Sequence, residues 1–174
     1  MSAITKANAG DCTAGCFEKL WLKCALETLQ NNSVSPFIFA EAIRTLLIKG
    51  CGKHRNILII GPSNCAKTFL IKPLEKIFQA FSNPAQDKYG WIGVDQAEVI
   101  VLNDLRWDNQ LISWIDFLLL LEGELVNLPA PKNHFARDIC LKSDTPIFAT
   151  SKEEILFRGR YNNTDYIQGD GNDG

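Results

Sequence analysis

Three short segments carry side chains that could do chemistry on a phosphate. The first is Gly61-Pro62-Ser63-Asn64-Cys65-Ala66-Lys67-Thr68. Its frame is that of a phosphate-binding loop, G-x-x-x-x-G-K-[ST], with Ala66 where the second glycine stands. Such a loop turns backbone N–H groups and a helix N-terminus toward the phosphate. Lys67 would reach the β/γ-phosphates, and the Thr68 hydroxyl would take Mg²⁺. The bland alternative is a strand, a turn and a helix with an ordinary surface lysine. Ala66 carries a Cβ, so a left-handed backbone there would cost about 1–2 kcal/mol, whereas a helical one would cost nothing. The second segment is Asn103-Asp104, just after the apolar run Val99–Leu102. An acid at a strand end beside a phosphate loop holds Mg²⁺ or positions the attacking water, which makes Asp104 the candidate. The third runs from Asp144-Thr145-Pro146 through Ile147-Phe148-Ala149-Thr150 to Ser151-Lys152. A polar residue at the tip of that strand could sense the γ-phosphate or the water.

These segments need a frame. Asn56 to Ile60 is a short apolar run rich in Ile, the pattern of an interior parallel strand. Lys67 and Thr68 open a helical pattern through Phe69, Leu70, Leu74 and Ile77. Upstream, residues 1 to about 14 are small and polar, as in a frayed end. Phe17 to Leu29 has apolar residues at helical spacing. Ser35-Pro36 starts a second helix, with Pro in its first turn. Gly50 to Arg55 is a basic turn. Downstream, Ser82 to Lys88 reads as a loop and Ile112 to Leu121 as a buried helix ending at Glu122-Gly123. Leu125 to Leu128 reads as a short strand, Pro129 to Arg137 as an exposed loop, and Ile147 to Thr150 as a third core strand. Tyr161 to Gly174 is rich in Asn, Asp and Gly and reads as a disordered tail or the cut end of a larger protein.

At 174 residues the chain can bury the core of one domain. No signal peptide is visible, and no apolar run is long enough to span a bilayer, so a soluble chain is expected. Six scattered cysteines, one inside the phosphate loop, point to reduced thiols rather than a disulfide framework. Cys12, Cys16 and Cys24 have a poor spacing for zinc and no His beside them. A net charge of −2 argues against a protein that coats DNA through its whole surface. It leaves room for one that grips nucleic acid through a local loop. Basic residues gather at Lys49, Lys53, His54 and Arg55; at Lys132, His134, Arg137 and Lys142; and at Lys152, Arg158 and Arg160.

Taken in order, the motifs resemble the superfamily 3 helicases of small DNA viruses, the AAA+-like replication proteins of parvoviruses and papillomaviruses. The resemblance covers roughly Phe37 to Arg160. It includes the segment Leu119-Leu120-Leu121-Glu122-Gly123-Glu124-Leu125-Val126-Asn127-Leu128-Pro129-Ala130-Pro131-Lys132-Asn133-His134. That segment looks like the family's helix, acidic turn, short strand and basic hairpin.

The resemblance implies an α/β P-loop NTPase with a central, mostly parallel sheet flanked by helices. A small helical segment would occupy residues 1–50, the helicase-like core 51–160 and a tail 161–174. It implies ATP and Mg²⁺ as cofactors, with Gly61 to Thr68 holding the nucleotide, Thr68 and Asp104 the metal, and Lys67 and Asp104 in catalytic roles. Arg158 or Arg160 would reach across a subunit boundary as an arginine finger. Lys132 and His134 would contact single-stranded DNA inside a hexameric ring. The chain would then be a helicase motor working in the nucleus of a host cell.

Three departures stand against full activity. Ala66 replaces the loop glycine, Asn103 replaces the first of two adjacent acids, and Lys152 replaces the sensor asparagine of the family's Thr-Ser-Asn. They leave open a nucleotide-binding scaffold without useful hydrolysis. A small P-loop kinase is a third possibility, although neither an arginine-bearing lid nor an acceptor pocket is evident.

Overall fold

The structure, a computed structural model, describes Thr5 and residues 20–84, 89–129, 139–141 and 144–154. Two helices come first, α1 (Leu20–Asn31) and α2 (Pro36–Lys49). Strand β1 (Ile57–Ile60) leads into α3 (Lys67–Ile77), then β2 (Ala80–Ser82). A single 3₁₀ turn at Val94–Gln96 precedes β3 (Val99–Leu102). Helix α4 (Trp114–Glu122), β4 (Val126–Leu128), β5 (Ile139–Leu141) and β6 (Ile147–Ser151) complete the order.

Four strands form one parallel sheet in the order β1-β6-β3-β2. The fold is therefore α/β with helices on both faces. Strands β3 and β6 are covered on both sides, as parallel strands must be when crossover helices lie over them. Their alternate side chains enter different cores. Ile100, Leu102, Ile147 and Ala149 pack with Phe117 and Leu120 of α4 and with Val126 and Leu128. Val99, Val101 and Phe148 pack with Leu46 of α2 and with Ile71 and Leu74 of α3. A third cluster joins Ala25 and Leu29 of α1 to Leu70 of α3.

Local chemistry sets the helix ends. Ser35 caps α2, its hydroxyl accepting from Ile38 N at 3.4 Å, and Pro36 takes the first helical position. Gly50 ends that helix at φ 72°, and a Cβ there would lie 2.1 Å from the Asp144 carbonyl oxygen. No other residue fits that approach. Helix α4 starts at Ser113, whose hydroxyl accepts from Asp116 N and donates to the Asp116 carboxylate, a reciprocal cap. Gly123, left-handed at φ 77°, closes it.

Two expectations need correction. Among the described residues the apolar run at β1 forms an edge strand rather than an interior one. Among the described residues β1 pairs only with β6, and Leu58 and Ile60 are 39% and 46% exposed. The run is continuous in sequence, yet only its alternate members, Ile57 and Ile59, pack into the cores. The helix expected from Ile112 begins two residues later, because Ser113 caps it. It is amphipathic rather than buried, with Ile115 71% exposed. Strand β2 has no counterpart in the sequence reading, which places only Ser82 in a loop. It has three residues and no alternation long enough to detect. The expected frayed start and tail, and most of the Pro129 to Arg137 loop, lie outside the described residues.

Candidate functional site

The carboxyl ends of β1, β6 and β3 lie side by side, the place where open parallel sheets bind ligands. Strand β1 runs into Gly61, and the loop carries two residues with left-handed backbone, Asn64 (φ 64°) and Ala66 (φ 62°). Asparagine tolerates that region; alanine does not. The Ala66 cost anticipated from sequence is therefore present. Residues held this way cluster where the surroundings dictate their shape, which happens at ligand sites. Ala66 directly precedes α3. No side chain caps that helix, and its first turn holds no acid. Its leading N–H groups and the positive end of its dipole are left for an anion.

Lys67 bends back over the loop. Its Nζ donates to the Gly61 carbonyl at 2.5 Å and to the Pro62 carbonyl at 2.6 Å, with Cys65 Sγ at 3.5 Å. Three donors on one ammonium are thus fixed across the mouth of the loop. Thr68 is exposed beside it. A groove of about 360 Å³ runs from Lys67 and Cys65 along β1 to Thr28 of α1, Asn32 just past its end and Phe39 of α2.

Strand β6 ties the loop to the acid. Gly61 N donates to the Ser151 carbonyl at 3.2 Å, Leu105 N donates to the Thr150 carbonyl at 2.7 Å, and Asp104 N donates to Thr150 Oγ1 at 2.9 Å. Asp104 is itself left-handed at φ 53°. The sequence left open which polar residue stands at the tip of this strand; the Thr150 side chain does not, being 1% exposed with its hydroxyl accepting from Asp104 N. The Ser151 hydroxyl donates to the Glu153 carbonyl at 2.6 Å. Lys152 is then the polar residue that remains at the tip.

The Asp104 carboxylate has two cationic partners. Arg106 Nη2 lies 3.2 Å from Oδ2 and Lys152 Nζ lies 3.9 Å from the same oxygen. Asn103 points elsewhere. Its Nδ2 donates to Glu75 Oε1 at 3.3 Å, its backbone N donates to Asn83 Oδ1 at 2.7 Å, and Asn83 Nδ2 returns a bond to the Asn103 carbonyl at 3.0 Å. Among the described residues Asn103 Oδ1 is buried without a partner. Glu75 also accepts from Ser82 and pairs with Lys72. The Lys72 hydrogen bond holds the Glu75 carboxyl below its ordinary pKa against the opposing effect of burial, and the Ser82 and Asn103 bonds act in the same direction. Glu75 and Asn83 were not anticipated, and no pattern in a single sequence marks them. They fasten the end of β3 to α3 and β2.

The groups that could hold an anion here are the open N–H groups of α3 and the Lys67 ammonium, whose donors are engaged within the loop by the Gly61 and Pro62 carbonyls and Cys65 Sγ. For Mg²⁺ the protein donors would be Thr68 and Asp104. One carboxylate can suffice for a phosphate-bound Mg²⁺, but this carboxylate already has two cations. Among the described residues, no three His, Cys, Asp or Glu side chains gather as a metal site. Cys12 and Cys16 lie outside that set. The four described cysteines form no disulfide with one another, and burial, helped by Asp144, pushes the Cys51 thiol up, as in an inert core cysteine. The basic turn is partly structural, since Arg55 donates to the Gly50 and Cys51 carbonyls. Lys132, His134, Arg158 and Arg160 lie outside the described residues. Strands β4 and β5, which bracket Lys132 and His134 in sequence, form an antiparallel pair.

No known family model matches this chain, and no curated protein matches it. Among the described residues no helix is long and apolar enough to cross a membrane.

Proposed function

We propose that this chain is the ATP-binding and ATP-hydrolysing domain of a superfamily 3-like DNA helicase. One juxtaposition carries the reading: adjacent residues of β6 hold Gly61 at the start of the loop and Asp104 at the end of β3. Lys67, the uncapped start of α3 and a single carboxylate thus share one edge of the sheet. In this reading Lys67 binds and orients the polyphosphate, and backbone N–H groups answer its charge. Asp104 orients water or a metal ligand. Mg²⁺, held by Thr68 and Asp104 when bound, would supply charge neutralisation at the transferring phosphoryl group. The groove along β1 offers room for the nucleoside.

The helicase part of the reading rests on the order of motifs and on the β4–β5 pair around the basic segment. Lys132 and His134 would contact single-stranded DNA there, and binding would weaken with salt. Arg158 or Arg160 would complete the site of a neighbouring copy in a hexameric ring. The place of work would be the nucleus of a host cell.

The test is ATP turnover by the purified chain, with and without single-stranded DNA, over a range of protein concentrations. Turnover should rise with DNA and steeply with concentration. A chain that binds no ATP would refute the assignment. The two cations on Asp104 favour a second reading, a nucleotide-binding scaffold with little hydrolysis. Bound ATP without phosphate release, even with DNA present, would select it.

A further inference from the structure

We propose that Glu75 is a positioning residue for Asp104, acting through Asn103, and that residue 103 must be an amide because Glu75 faces it. The inference rests on the ATP-hydrolysing reading above and deepens it.

Asp104 is left-handed at φ 53°, a backbone that a non-glycine residue keeps only where its neighbours impose it. Two clamps do so. On one side β6 takes the Asp104 N–H on Thr150 Oγ1 at 2.9 Å and the Leu105 N–H on the Thr150 carbonyl at 2.7 Å. On the other side Asn103 is fastened three times. Its N–H donates to Asn83 Oδ1 at 2.7 Å, its carbonyl accepts from Asn83 Nδ2 at 3.0 Å, and its side-chain Nδ2 donates to Glu75 Oε1 at 3.3 Å. The Asn83 bonds hold the backbone beside β2. Among the described residues, the Glu75 bond is what ties Asn103 to α3, the helix that begins at Lys67 and Thr68. One side-chain pair thus joins the helix of the phosphate loop to the residue before the acid.

That pair has a fixed direction. The Glu75 side chain is 14% exposed and pairs with Lys72, while its Oε1 also accepts from Ser82 Oγ at 3.3 Å. The Lys72 hydrogen bond keeps the carboxyl ionised, so it can only accept. Residue 103 must then donate, and asparagine does. An ionised aspartate there would have no donor and would set a second carboxylate against the first. Two carboxylates so close oppose each other's ionisation. The position also has little to offer a charge, since among the described residues Asn103 Oδ1 is already buried without a partner. The carboxylate of this corner therefore belongs to α3, and a second one on β3 breaks the clamp.

The experiment measures kcat and KM for ATP, with urea unfolding alongside, in the intact chain and four variants. Glu75→Ala releases the Asn103 amide and should lower kcat by about 10–100-fold with KM little changed, the scale for an outer group that orients a functional side chain. Glu75→Gln, which can still accept from Asn103, should recover most of that loss. Asn103→Asp should lose kcat as Glu75→Ala does. Adding Glu75→Gln to Asn103→Asp gives the new carboxylate a donor and should raise kcat again by about fivefold or more, the coupling of residues in direct contact. If Glu75→Ala does not fold, the Asn103→Asp pair decides alone. A Glu75→Ala chain with a lower urea midpoint and an intact kcat overturns the proposal. So does an Asn103→Asp chain that keeps or raises kcat, or one whose loss Glu75→Gln does not relieve. A native chain that binds ATP without turning it over overturns the proposal and leaves nucleotide binding standing. A native chain that binds no ATP overturns the nucleotide reading, and the proposal with it.

Discussion

Helices α3 and α4 differ most at their first turns. Helix α4 begins under Ser113, which satisfies one N–H and is held in return by Asp116. Helix α3 begins under Ala66, in a left-handed backbone with no side-chain cap. Both helices pack against the same sheet, so packing alone does not explain the contrast. A capped end is optimised for the helix itself. An uncapped end preceded by strain forgoes that stability, and the N–H groups it leaves open are what an anion requires. The lesson is that a candidate ligand site can be recognised by what a neighbouring element of the same fold has and it lacks.

Three substitutions break or sharpen this contrast. The largest effect belongs to Lys67→Ala, which leaves the open helix end but removes the ammonium across the loop. ATP affinity or turnover should fall by about 100-fold or more, the scale for losing one preorganised charge stabiliser. Full ATP affinity in that variant would reduce Lys67 to a surface lysine. Next comes Ser113→Ala, which gives α4 an uncapped start of its own. Unfolding in urea should show a loss of about 1 kcal/mol, with no change in ATP affinity. The smallest effect is that of Ala66→Gly, which relieves the left-handed alanine. Relief of about 1–2 kcal/mol is offset in part by the added freedom of the unfolded chain. The urea midpoint should therefore rise by a modest amount, equivalent to roughly 0.5–1 kcal/mol. A fall in the midpoint would mean that the alanine methyl makes contacts that outweigh its strain.

Much of the frame was legible because local chemistry determines it. Ser35-Pro36 and Gly123 mark helix ends by mechanisms that need no partner. The apolar runs at Val99 and Ile147 are buried on both faces and contain almost nothing else. What could not be read depends on which strands become neighbours. Nothing in Ile57 to Ile60 says that, among the described residues, this run pairs on only one side. Nothing in Asn103 says that it will face Glu75, because that contact joins segments brought together by the crossover. The spacing of Lys152 after Thr150 was legible, but its reach to Asp104 was not. The pairing of β3 with β6 creates it.

The sheet order also bears on how the chain is made. Strand β6 lies between β1 and β3 yet is the last of the four to leave the ribosome. Until Ile147 to Ser151 emerge, Ile57 has no Phe148 to pair with, and β3 has only β2. The loop and the acid cannot be brought into register before then. Contacts so distant in sequence make for slow, late assembly. The nascent chain would carry β1 and β3 unzipped, and closure of the site would coincide with the final insertion of one strand.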